Sequence, residues 1–207
     1  MLNNLIERYP SLSGCKNELE SVKTLIIECF EKGGKLLLCG NGGSSADCDH
    51  IVGELMKGFM LKRPISKEKR DAMKEKNPEI ANSVLDKLQM GLPAIALPSV
   101  TALNTAFAND VDPDLTYAQS LFALGGESDL LLAISTSGNA KNVIHAVEVA
   151  KSLGIKTAGL SGKDGGALGK LTDVCIIAPE NETYKIQELH LPIYHWLCAE
   201  VEKHFFG

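Results

Sequence analysis

Apolar residues recur along this chain in two rhythms that alternate. Within residues 13–32, Leu19, Val22, Leu25, Ile26 and Phe30 repeat at helical spacing, and Gly33-Gly34 ends the stretch. Directly after it, Lys35-Leu36-Leu37-Leu38-Cys39 is almost continuously apolar, the pattern of a strand buried on both faces of a parallel sheet. That run breaks into Gly40-Asn41-Gly42-Gly43-Ser44-Ser45, and a helix is predicted from Ala46 to about Phe59. The same unit returns downstream. Ala94-Ile95-Ala96-Leu97 is a short strand between Pro93 and Pro98. Residues 129–134 form another, followed by Ser135-Thr136-Ser137-Gly138-Asn139 and a helix over 141–153 that Gly154 closes. Residues 155–160 and 174–177 supply the fourth and fifth strands, and a helical segment over 183–205 follows. This alternation predicts an α/β fold: a doubly wound, five-stranded parallel sheet with flanking helices.

One region departs from the rhythm. Residues 61–92 are rich in Lys and Glu and carry no strand pattern. Asn77-Pro78-Glu79 reads as a helix start, after which Ile80, Val84, Leu85 and Leu88 share one helical face. The segment is read as a helical insertion at about 61–92, a solvated excursion from a single domain spanning 1–207.

Composition narrows the function classes. The chain has 207 residues, 44% of them hydrophobic and 23% charged, which suits one soluble α/β domain. Its net charge of −5 gives no overall basic bias, so nucleic acid is not an expected partner. A phosphate would have to be held locally, by backbone N–H groups or a few side chains. No apolar stretch approaches the ~20 residues of a membrane span, and residues 1–10 are too polar for a signal peptide. The six cysteines form no CxxC pair and read as reduced, buried thiols of a cytoplasmic protein.

Four constellations carry candidate chemistry. Gly40-Asn41-Gly42-Gly43-Ser44-Ser45 lies between a strand and a helix, where glycines admit close approach and a helix N-terminus offers free N–H groups. It is neither a P-loop, lacking Gly-Lys-Ser/Thr, nor a GxGxxG loop, since Ser45 stands at the third glycine. Ser135-Thr136-Ser137-Gly138-Asn139 brings three hydroxyls to a second helix start, more than capping alone requires. His50 and Glu54, four apart, share a helical face and can serve as an acid/base pair or as metal ligands. Gln187, Glu188, His190 and His195 interrupt the otherwise apolar closing helix.

In order and spacing these pieces resemble the SIS (sugar isomerase) family, and within it the phosphoheptose isomerases. The likeness rests on Cys39-Gly-Asn-Gly-Gly-Ser44, His50-x-x-x-Glu54, Ile134-Ser-Thr-Ser-Gly-Asn139 and Ile186-Gln-Glu-x-His190-x-x-x-x-His195, with Gly162-Lys163-Asp164-Gly165-Gly166 after the fourth strand. It implies a flavodoxin-like fold and a homotetramer with active sites where subunits meet. It further implies an aldose–ketose isomerase that converts sedoheptulose 7-phosphate to D-glycero-D-manno-heptose 7-phosphate through an enediol. By the same resemblance Ser44, Ser135, Thr136 and Ser137 hold the phosphate, and Asn41 and Asp110 contact the sugar. Gly42, Gly43, Asn109, Asn139 and Gln187 complete the expected substrate-binding set. Glu54 is the expected base and His195 the acid, and zinc is expected on His50, Glu54, Gln187 and His195.

The chain departs from the family pattern at two places: Ala140 stands where Ser is usual, and Tyr184 where Asp is frequent. Gln187 and His195 are also eight apart, ~12 Å of rise on a regular helix, so one ion could reach both only through a distortion such as a kink at Pro192, through long side-chain reach, or through different subunits. The principal alternative is a non-catalytic SIS protein that binds a protein partner such as a replication initiator. In that type the Glu and the final His are replaced, whereas Glu54 and His195 are present here. A sugar-phosphate-sensing regulator would need a DNA-binding domain for which the chain has no room. A dinucleotide enzyme lacks its third glycine.

Overall fold

The computed structural model describes residues 2–207. Its five strands are β1 (Leu36–Cys39), β2 (Ala94–Ala96), β3 (Leu130–Ser135), β4 (Lys156–Ser161) and β5 (Val174–Ile177). All pair in parallel, in the order β2-β1-β3-β4-β5. The flanking helices are α1 (Leu2–Arg8), α2 (Lys16–Glu31), α3 (Gly43–Met56), α4 (Lys67–Lys76) and α5 (Asn82–Leu85), then α6 (Thr101–Asp110), α7 (Thr116–Leu124), α8 (Lys141–Ser152), α9 (Gly166–Leu171) and α10 (Thr183–Phe206). The expected doubly wound sheet is therefore present, with each strand within a residue of its predicted bounds.

Side chains alternate between the two faces of a strand, and the core divides accordingly. Leu36, Leu38, Leu130 and Leu132 pack under α1, α2, α3 and α10. Leu37, Cys39, Leu131 and Ala133 face α7, α8 and α9. All six cysteines are buried free thiols, and burial lifts Cys39 to about 12. The strand order reverses between β1 and β3, so the crevice beyond their carboxyl ends is where a ligand site forms in open α/β sheets. Both the glycine loop and the hydroxyl loop leave the sheet at that crevice.

Several elements differ from expectation. Helix α3 begins at Gly43 rather than Ala46, so the end of the glycine loop is itself the first helical turn. Helices α1, α6, α7 and α9 were not predicted. In α6 no residue is fully buried; Leu103, Phe107 and Ala108 are only partly covered, so the helix lacks a strong core-facing stripe.

The 61–92 segment is also built differently. Its helix is α4, capped by Ser66, whose hydroxyl accepts from the Lys69 N–H, with Glu68 in the first turn and Lys74 and Lys76 in the last. No helix starts at Pro78. Ile80 N–H closes a turn on Asn77, Ala81 is extended, and only the four-residue α5 follows. Val84 and Leu88 stay exposed and Leu85 is the one residue of the predicted face that is buried, so little of that face grips the core. What holds the segment is Arg63, which is 2% exposed and donates from Nε to Glu202 (2.7 Å) and from Nη1 to the Leu55 carbonyl (2.7 Å). Glu202 also accepts the backbone N–H groups of Phe59, Met60 and Leu61. Burial would raise this carboxyl, but those N–H groups and Arg63 outweigh it and hold Glu202 below its ordinary range.

Candidate active site

A pocket of about 340 Å³ opens at the β1/β3 crevice. Its walls are the glycine loop with the start of α3 (Asn41, Gly42, Gly43, Ser44), the end of β3 with its hydroxyls (Ser135, Thr136, Ser137), and Ala140, Thr183 and Gln187. Gly42 has φ +56, and Gly138 has φ +66 and lies so close to the Gly165 carbonyl that a Cβ would collide with it. Among the described residues no charged side chain lines the pocket. An anion there meets hydroxyls, amides and the positive end of α3, which is sufficient for a phosphate.

Neighbouring groups hold the loops in place. Asn41 and Asn142 exchange side-chain amide bonds at 2.8 and 2.9 Å, and Tyr117 Oη lies 2.9 Å from Asn41 Oδ1 and 2.8 Å from the Gly40 carbonyl. Ser161 Oγ donates to the Ser135 carbonyl at 2.7 Å. Asn139 does not line the pocket. Its amide donates to the Ser137 carbonyl and its oxygen accepts from the Ala167 N–H, so it ties the hydroxyl loop to the first turn of α9. Tyr117 and Asn142 were not singled out from sequence. Each acts through contacts more than 70 residues away along the chain, which no local pattern reveals.

A second cluster lies further along α3. His50 Nε2 is 3.2 Å from Glu54 Oε1 and 3.4 Å from His195 Nε2 on α10. His50 Nδ1 is 3.0 Å from Tyr194 Oη, which in turn is 3.2 Å from Asp47 Oδ1. Lys57 donates to Glu54 Oε2 at 3.1 Å. Burial, then the neighbouring His50, holds His195 below the usual imidazole pKa, against the pull of Glu54. This arrangement sets a carboxylate acceptor beside two imidazoles, the equipment of proton transfer. On its far side His195 borders a larger, mostly apolar groove of about 590 Å³ between α1 and α10. His190 is not part of the cluster: fully buried, it contacts the Ser161 carbonyl through Nε2 at 3.1 Å, and desolvation lowers it to about 4.

Of the expected metal ligands, His50, Glu54 and His195 come together. Gln187 packs instead on Gly43, where a Cβ would strike its amide nitrogen. Gly43 and His50 are seven residues apart on α3, ~10 Å of rise, so within one chain Gln187 belongs to the pocket. Helix α10 runs unbroken through Pro192. Among the described residues no three His, Cys, Asp or Glu side chains form a ready-made metal cage. Asn109 and Asp110 end α6, hydrogen-bonded to each other, and line neither place in their own chain.

Comparison with known proteins adds a further finding. SIS domain families match residues 12–84 and 102–194. The phosphoheptose isomerase of Helicobacter pylori strain P12 is 39% identical over 195 residues, which are 94% of this chain and 88% of that protein. The phosphoheptose isomerase of Aneurinibacillus thermoaerophilus is 39% identical over 188 residues, covering 91% and 82%. Among solved structures, a phosphoheptose isomerase from Francisella tularensis superposes with a TM-score of 0.78 at 30% identity, covering 98% of this chain and 94% of that one. That of Neisseria gonorrhoeae gives 0.76 at 29%, covering 98% and 95%.

Proposed function

The chain belongs to the SIS family, among its phosphoheptose isomerases, and we propose that it interconverts sedoheptulose 7-phosphate and D-glycero-D-manno-heptose 7-phosphate through an enediol. The observation that carries this reading is the placement of two sites along one helix. An uncharged anion pocket lies at the N-terminus of α3, and a carboxylate beside two imidazoles lies two turns on. Phosphate binds the first against Ser44, Ser135, Thr136 and Ser137, and the reacting carbons meet the second.

In the ketose-to-aldose direction Glu54 takes a proton from C1. His195 supplies a proton to the C2 carbonyl oxygen, leaving the neutral enediol. Return of a proton to C2 and loss of the O1 proton give the aldehyde. C1 is oxidised and C2 reduced by the same electron pair, so no outside oxidant or reductant is needed. A neutral imidazole can act as the proton donor here, as the lowered pKa of His195 implies.

Zinc is part of the proposal. Two ligands at 2.0–2.1 Å from a tetrahedral ion stand about 3.4 Å apart, and His50 Nε2 is 3.4 Å from His195 Nε2 and 3.2 Å from Glu54 Oε1. His50, Glu54 and His195 would hold the ion, and a four-ligand set would need Gln187 from a second copy. A bound zinc ion would polarise the sugar carbonyl.

The active assembly is proposed to be a homotetramer with sites where copies meet. Helix α6 has no fully buried residue in its own chain, and Val111 and Phe122 near it are 64% and 65% exposed. Asn109 and Asp110, at the end of that helix, would reach a neighbouring copy's site. Cytoplasmic location is proposed as well. Six unpaired thiols suit a reducing compartment, and among the described residues no helix is long and apolar enough to cross a membrane. The non-catalytic alternative is not favoured, since Glu54 and His195, on which it turns, stand in one cluster and the curated relatives are isomerases by name.

The test is to incubate purified protein with sedoheptulose 7-phosphate, with zinc and with a chelator, and to follow products by NMR. Appearance of the heptose 7-phosphate supports the reading. A folded oligomer that forms none under either condition contradicts it.

A further inference from the structure

We propose that Tyr194 and Asp47 fix the tautomer of His50, placing its proton on Nδ1 and turning the bare Nε2 lone pair toward Glu54 and His195. Both are positioning residues, since neither touches the reacting carbons in the scheme above. The inference rests on reading the His50–Glu54–His195 cluster as the chemical centre.

The geometry is a short chain of polar atoms. His50 Nδ1 lies 3.0 Å from Tyr194 Oη, and Oη lies 3.2 Å from Asp47 Oδ1. A phenol has one proton to give, and a carboxylate oxygen only accepts. The phenol therefore donates to Asp47, and its oxygen accepts from His50 Nδ1–H. The reverse direction would set the phenol oxygen and the Asp47 oxygen lone pair against lone pair.

The surroundings keep this chain from dissolving into water. Tyr194 is 2% exposed and meets the His50 ring edge-on, with centroids 5.4 Å apart at 71°. Asp47 and His50 are three apart on α3, so one helical face presents both to Tyr194. Asp47 Oδ2 is buried with no hydrogen-bond partner among the described residues, and Oδ1 is the oxygen that answers the phenol. Burial raises the Tyr194 phenol above its ordinary value, so it retains the proton it donates.

The consequence falls on the cluster. With its proton on Nδ1, His50 presents an electron pair 3.2 Å from Glu54 Oε1. Two such acceptors at that distance repel unless a proton or a cation lies between them. A fixed tautomer of this kind is how a histidine is commonly prepared to bind a cation.

The tautomer is readable in metal-free protein without substrate, so an inactive enzyme would not be confused with a failed inference. The chain has five histidines, and long-range proton–nitrogen correlation of nitrogen-15-histidine-labelled, chelator-treated protein resolves their ring nitrogens. His50 is assigned by its absence in His50→Gln. The expected wild-type spectrum has a protonated, pyrrole-type Nδ1 and a bare, pyridine-type Nε2. In Tyr194→Phe, which keeps the ring, the population shifts toward the Nε2–H form. In Asp47→Ala the phenol loses its acceptor, turns to donate to His50 Nδ1, and the tautomer inverts. Wild-type His50 protonated on Nε2 would overturn the inference without recourse to any variant, and so would an unchanged tautomer in both folded variants.

Discussion

His50 and His195 meet Nε2 to Nε2 at 3.4 Å, joining α3 to α10 beside the carboxylate of Glu54. Neither residue is needed to bury the core, so the contact has chemical rather than structural value. Replacing Glu54 by Gln or His195 by Gln is expected to lower kcat by about 10²–10⁴-fold, the usual worth of a positioned acid or base. Thermal unfolding should change little, because Lys57, the cation paired with Glu54, is itself exposed. Steady-state kinetics alongside a melting curve would separate the two effects.

The anion pocket offers an expectation of opposite signs. Thr136→Val removes a hydroxyl, and a hydrogen bond to a charged group contributes about 1.5–3 kcal/mol, so kcat/KM should fall by roughly 10–100-fold. Ala140 lines the same pocket without a donor. Ala140→Ser should lower KM for the phosphorylated sugar severalfold. A KM that is indifferent to both substitutions would move the phosphate elsewhere.

The Arg63–Glu202 pair is fully buried, with side-chain exposures of 0% and 1%. Removing one member of such a pair leaves the other charged and unmatched, a loss of about 3–5 kcal/mol. Arg63→Met is therefore expected to lower Tm by roughly 10 °C. Limited proteolysis should then cut within residues 57–92, the segment this pair anchors, before the core opens.

His190 predicts acid sensitivity. Its folded pKa is about 4, below the ~6.5 of an unfolded chain, because desolvation penalises its charge. Between those values the unfolded chain binds a proton that the folded chain refuses. Stability is whole above about pH 6.5 and falls as pH drops toward 4, by on the order of 3 kcal/mol. His190→Gln, which can still donate to Ser161, should flatten this part of the urea-unfolding profile measured against pH.

The sheet was legible because its strands are apolar on both faces and leave no competing period. Helix α6 was not, because none of its residues is fully buried and its inward-facing Leu103 and Phe107 are only half-buried. The signal at Asn77-Pro78 pointed to a helix start, but with Val84 and Leu88 exposed the helix that forms is the four-residue α5, from Asn82. At the site, the spacing of His50 and Glu54 and the three hydroxyls pointed to residues that the fold gathers into one cluster and one pocket. The eight-residue separation of Gln187 and His195 anticipated that one helix would place them apart. Asp47 lay in view, one turn before His50, yet its meaning depends on Tyr194, 147 residues distant.

The most direct test of the account is turnover of sedoheptulose 7-phosphate in D₂O by the wild type and Glu54→Gln, each with zinc and with chelator, read by proton NMR. The account predicts that the wild type forms the heptose 7-phosphate with solvent deuterium at C2, and that Glu54→Gln forms almost none. Equal turnover by the two proteins, or none by the folded wild type in either condition, would contradict it.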